Sequence, residues 1–117
     1  MKNILCILAV FCLSASYAQK TDRKIKEVII KVPGVCGMCE NRIESAALRV
    51  KGVKTAEWDK KSQDLKVVYS VKKTELAEVH HAVAENGHDT PNIKADTANY
   101  VKLPNCCRYR DGAKCSD

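Results

Sequence analysis

Over a short stretch this chain's hydrophobic pattern changes period, and two cysteines sit at the change. Val28-Ile29-Ile30-Lys31-Val32 is apolar and β-branched, with Val28, Ile30 and Val32 on one face, which is strand chemistry. Beyond Cys39, the residues Ile43, Ala46, Ala47 and Val50 recur at helical spacing. Between them lies Pro33-Gly34-Val35-Cys36-Gly37-Met38-Cys39, whose glycines let a loop bend and approach a ligand closely. Paired thiols at such a strand-to-helix turn meet backbone N–H groups and the positive end of a helix dipole, which favour a thiolate. They bind a soft metal ion, or they cycle between dithiol and disulfide.

The rest of the chain follows from that turn. Lys51-Gly52 ends the first helix, which runs from near Cys39 to Val50. Val53 to Asp59 and Leu65 to Tyr69, joined by the polar turn Lys60–Asp64, read as a hairpin. Thr74 is placed to cap a second helix through Asn86, with Leu76, Val79 and Val83 inward and Gly87 as the stop. His80 and His81 on that helix read as surface or edge positions. A last strand is expected around Ile93 to Ala95. The order βαββαβ is a ferredoxin-like α+β sandwich, two helices on a four-stranded antiparallel sheet. It spans residues 24–95, with a short Cys-rich C-terminal tail, 96–117, as an appendage.

The 117 residues support one small domain plus extras. Residues 1–18 read as a signal peptide: a basic start at Lys2, an apolar run from Ile4 to Leu13, and small residues at Ser16 and Ala18. Cleavage before Gln19 would mean export, with the periplasm as the expected compartment and secretion as the alternative. The apolar run is too short to span a bilayer, so no stable membrane insertion is expected after cleavage. The formal charge of +6 is scattered rather than striped, and no aromatic or Arg-rich patch accompanies it, which argues against a nucleic-acid partner. Neither a Ser/His/Asp grouping nor a phosphate loop is present, and no enzyme activity is expected.

Two sulfurs on a flexible loop suit soft ions such as Cu(I), Hg(II), Zn(II) or Cd(II). Such a site is coordinatively unsaturated, which suits transfer better than the four closed ligands of structural zinc. The surroundings sharpen this: Ile43, Ala46-Ala47, Val50 and Gly52-Val53 stand at fixed offsets from Cys39 behind a Gly-x-Cys-x-x-Cys loop. With the βαββαβ order, this resembles the heavy-metal-associated domain family, over about Lys26 to Ala95. That family includes copper chaperones, N-terminal modules of metal-exporting ATPases and periplasmic mercury-binding proteins. The layout of a single exported domain is most similar to the periplasmic members.

The resemblance implies that Cys36 and Cys39 capture a soft ion reversibly and exchange it with thiols of a metal-transporting membrane protein or another CxxC carrier. It also implies transport or detoxification as the setting. The family loop usually reads Gly-Met-Thr-Cys, its Met packing inward beneath the metal; here Gly34-Val35 precede Cys36. The family also brings a residue after the second helix toward the loop, a position held here by His88, as an additional ligand or a loop contact. Met38 reads as solvent-facing rather than as a third ligand. No Asp precedes Cys36, which favours Cu(I), then mercury, over zinc or cadmium.

A thiol–disulfide oxidoreductase is the rival reading, since it too opens a helix with C-x-x-C. The thioredoxin class usually has an aromatic before the first Cys and Gly-Pro or Pro-His between the pair, whereas Val35 and Gly37-Met38 stand here. A structural or interaction module that only retains the fold is the third. The tail adds Cys106, Cys107 and Cys115, leaving an odd five cysteines after cleavage. Adjacent cysteines rarely bond to each other. One of them could pair with Cys115, a staple that export favours. The three could instead form a second metal site, reach the Cys36/Cys39 loop, or pair between molecules.

Overall fold

The computed structural model describes residues 24–113. Its elements are β1 (Ile25–Lys31), α1 (Gly37–Leu48), β2 (Val53–Trp58), β3 (Asp64–Ser70), α2 (Leu76–Glu85) and the short α3 (Thr97–Tyr100). Two 3₁₀ turns follow, Asn105–Cys107 and Tyr109–Asp111. The expected leader and Cys115 lie outside the described residues. No helix among the described residues is long and apolar enough to cross a membrane.

β1 and β2 both pair antiparallel with β3, in the order β1-β3-β2. The register aligns Ile30, Leu65 and Trp58 in one row across the sheet, and Val28, Val67 and Ala56 in the next. These rows face the helices. Leu65 and Val67 are fully buried, each contributing roughly 1.5–3 kcal/mol of apolar burial. α1 presents Cys39, Ile43, Ala46 and Ala47 to the core, a stripe at helical spacing in which the small alanines allow close approach. α2 contributes Val79 and Val83, both fully buried.

Several expectations need correction. The fourth strand at Ile93–Ala95 is absent, and the sheet among the described residues has three strands. The backbone there is satisfied locally instead: Thr90 N–H donates to Ile93 C=O, Ile93 N–H to the Thr90 hydroxyl, and Ala95 N–H to Asp89 Oδ1. α1 starts at Gly37, so Cys36 is its N-cap and Cys39 lies in its first turn. Glu75, not Thr74, is the N-cap of α2; the Thr74 hydroxyl turns to the Glu75 carbonyl at 3.4 Å. His80 is buried, its Nδ1 2.7 Å from the Thr90 hydroxyl.

The tail is built into the domain. Asp96 caps α3 by accepting from Asn99 N–H, and Tyr100, Leu103 and Cys107 join the same buried cluster as Ile43 and Val83. Gly87 makes this packing feasible. Its φ of +95° suits glycine, and a Cβ there would lie 2.9 Å from Leu103 Cγ.

Candidate metal centre

The loop between β1 and α1 is held from three sides. Val32 N–H donates to the Gln63 carbonyl at 2.8 Å, and Gly34 N–H to Gln63 Oε1 at 2.7 Å, so the β2–β3 turn pins its start. Trp58 Nε1–H donates to the Val32 carbonyl at 3.0 Å from below. From the far side, His88 Nδ1 meets the Pro33 carbonyl at 2.9 Å. A carbonyl only accepts, so Nδ1 carries the proton and Nε2 is left as a lone pair. That Nε2 is buried without a hydrogen-bond partner. Burial holds the His88 pKa below the usual histidine value; Pro33 and Asp89 oppose the shift, and the nearby Arg42 adds to it. His88 is therefore a neutral loop contact, stacked on Tyr109 with ring centroids 5.4 Å apart.

Cys36 occupies the N-cap position of α1 in extended conformation, its carbonyl accepting from Glu40 N–H at 3.0 Å. Cys36 is disulfide-bonded, whereas Cys39, Cys106 and Cys107 are free. The bond is therefore not one between Cys36 and Cys39, and neither tail thiol in the described residues is stapled. Cys39 is completely buried on the inner face of α1.

The tail comes to this loop. The sulfurs of Cys36, Cys106 and Cys107 all lie within 4.8 Å of one another. Cys107 is fully buried in the same core cluster as Cys39; burial foremost, then Cys39, pushes its thiol pKa well above the usual range. Cys106 sits 3.5 Å from the sulfur of Met38, which is half-exposed. Two tail cysteines and a thioether thus stand at the loop that carries Cys36 and Cys39. Trp58 was missed as a part of the site, although it is the chain's sole tryptophan.

The arrangement is that of a ferredoxin-like domain carrying soft donors at a strand-to-helix loop. Residues 29–89 match the model of the heavy-metal-associated domain, and the chain belongs to that family. Among curated proteins it is similar to the copper chaperone CopZ of Staphylococcus epidermidis, 36% identical over 62 residues, covering 52% of this chain and 91% of the relative. CopZ of Staphylococcus haemolyticus is 31% identical over the same length. A solved CopZ metallochaperone superposes with a TM-score of 0.54 at 27% identity, covering 56% of this chain and 98% of that one. Oxidised MerP of Ralstonia metallidurans shares the fold at 24% identity, with a TM-score of 0.54 over 56% of this chain and 93% of its own.

Proposed function

We propose that this protein is a soft-metal carrier, not an enzyme, which captures Cu(I) through Cys36 and Cys39 and passes it to thiols of a metal-transporting membrane protein or another CxxC carrier. The observation that carries this reading is the placement of Cys36 at the N-cap and Cys39 in the first turn of α1, inside a domain whose similar proteins include copper chaperones. Thiolates prefer Cu(I) and Hg(II) to hard cations, and no carboxylate directly precedes Cys36 to favour zinc. The ion is cargo. Ligation needs Cys36 as a thiol, so capture belongs to the reduced protein. The oxidoreductase reading draws no support from the site, since the disulfide at Cys36 does not involve Cys39. The basic, apolar and small-residue order of residues 1–18 supports export and work in the periplasm.

Anaerobic competition on the reduced chain, comparing Cu(I), Hg(II) and Zn(II), tests the reading. Wild type should retain one Cu(I) against a chelator that strips the Cys36→Ser/Cys39→Ser variant. Equal retention by the two proteins would refute it. N-terminal sequencing of the exported chain should find Gln19 first, and finding Met1 would refute cleavage.

A further inference from the structure

The tail's two adjacent cysteines have no role in a two-thiolate carrier, yet they are held against the carrier's loop. We propose that Cys106 and Cys107 join Cys36 around a single thiophilic ion, so that the tail closes the cargo site into a three-sulfur site. This rests on the carrier reading and adds to it a built-in control of release.

Three observations carry it. The first is distance. An ion bonded to three thiolates at about 2.3 Å holds them roughly 4 Å apart, and the three sulfurs here are mutually within 4.8 Å before any ion draws them in. Secondly, the tail is docked by contacts that owe nothing to sulfur. Tyr109 Oη accepts from Asp89 N–H and donates to the Gly87 carbonyl, both at 2.9 Å. Arg110 pairs with Asp89 at 2.6 Å and lies over the Tyr100 ring, while Leu103 packs in the core. The thiols are thus presented at a high effective concentration, at millimolar levels or above, against which a partner's thiols must compete. Thirdly, both tail cysteines are free, and Cys106 already contacts the soft thioether of Met38.

The chemistry follows from coordination number. With two thiolates the ion has an open place, which an incoming thiol fills as the first step of transfer. With Cys106 and Cys107 both beside Cys36 no place is open, and the incoming thiol must displace a tail sulfur. On loading, each ligating thiol releases its proton to solvent, and no electron moves. Cys36 must first be freed from its disulfide by a two-electron reductant of the thiol or phosphine class. Cys39, buried against Cys107, is left behind the site as the sulfur the ion would meet when the tail lifts.

The test compares reduced, anaerobic wild type with Cys106→Ser/Cys107→Ser, each given one equivalent of Cu(I). X-ray absorption should count three sulfurs around copper in wild type and two in the variant. The variant should still bind one ion, but lose it at least tenfold more readily to a chromophoric Cu(I) chelator. Circular dichroism checks that the variant is folded. If burying a serine at 107 unfolds it, Cys106→Ser alone, at a partly exposed position, should still lower the sulfur count from three. Two sulfurs in wild type, or three in the variants, would overturn the three-sulfur site and leave the carrier reading intact. A wild-type chain that retains no Cu(I) would overturn both.

Discussion

Trp58 occupies the space that a side chain at residue 34 would need. A Cβ on Gly34 would lie 2.7 Å from Trp58 Cζ2 and 3.2 Å from Cβ of Cys39. The indole cannot swing clear, because it is almost fully buried and its N–H is bonded to the Val32 carbonyl. The ring thus seats the loop at the position where the family's inward-packing methionine is missing. Gly34→Ala should cost about 1–3 kcal/mol by overpacking, read as a lower urea midpoint. Trp58→Phe removes the crowding atoms, so in the double variant the two costs should fall short of their sum. Strict additivity in that cycle would show that the contact does not constrain the loop.

The Asp89–Arg110 pair is one of the contacts that hold the tail against the domain. Asp89 Oδ1 accepts from both Arg110 and Ala95 N–H. Burial works to raise the Asp89 pKa, but Arg110 and Ala95 outweigh it, and the carboxyl is held below the usual aspartate range. Asp89→Ala should let the tail lift without melting the sheet. Alkylation of Cys106 should accelerate about tenfold, equivalent to ~1.4 kcal/mol of docking. An unchanged alkylation rate would mean that Leu103 and Tyr100 hold the tail unaided.

Two buried histidines make stability depend on pH. Desolvation lowers the pKa of both His80 and His88, the neighbouring His81 adding to the shift at His80. Above the ordinary histidine value near 6.5, both rings are neutral folded or unfolded, and stability is at its fullest. As pH falls below that value the unfolded chain takes up protons first, so stability declines until pH passes the lowered folded-state values. Each pH unit of separation is worth about 1.4 kcal/mol per ring. Urea midpoints should therefore fall between pH 7.5 and pH 5.5, and His88→Phe, which keeps a ring against Tyr109, should flatten the fall. A slope that His88→Phe leaves unaltered would assign the dependence elsewhere.

How much of this was written in the local pattern varies by residue. Val28, Ile30 and Val32, and the Ile43–Ala47 stripe, announced β1, α1 and their inward faces because each periodicity is set by one element alone. His88 was placed near the loop by resemblance and lies there. The fourth strand was lost because Ile93 and Ala95 found partners in Thr90 and Asp89, a competition between side chain and sheet that apolar patterning does not reveal. His80 was misplaced for a related reason: its burial depends on Thr90, ten residues on. The tail looks like an appendage in the sequence because its anchors, Tyr100, Leu103, Tyr109 and Arg110, follow no period and act only through contacts across the chain. Gly34 is compatible with a close approach to the loop, and the group that approaches is Trp58, which no local pattern names.

Cys107 provides a check on how the site is packed that needs no metal. Its thiol is fully buried, and burial foremost, then the neighbouring Cys39, raises its pKa. Only the thiolate reacts with iodoacetamide, so both exposure and ionisation act against Cys107 at pH 8. Cys106 is only partly buried, and its side chain contacts the half-exposed Met38. In reduced native protein, mass spectrometry should find Cys106 alkylated well before Cys107, with a ratio of tenfold or more at early times. Raising the pH to 9 should leave Cys107 slow, because its raised pKa keeps it protonated. In denaturant the two adjacent residues share one solvent environment and the ratio should collapse toward one. Equal native rates would mean that the 3₁₀ turn at Asn105–Cys107 does not hold Cys107 in the core, and that the tail thiols meet the loop only transiently.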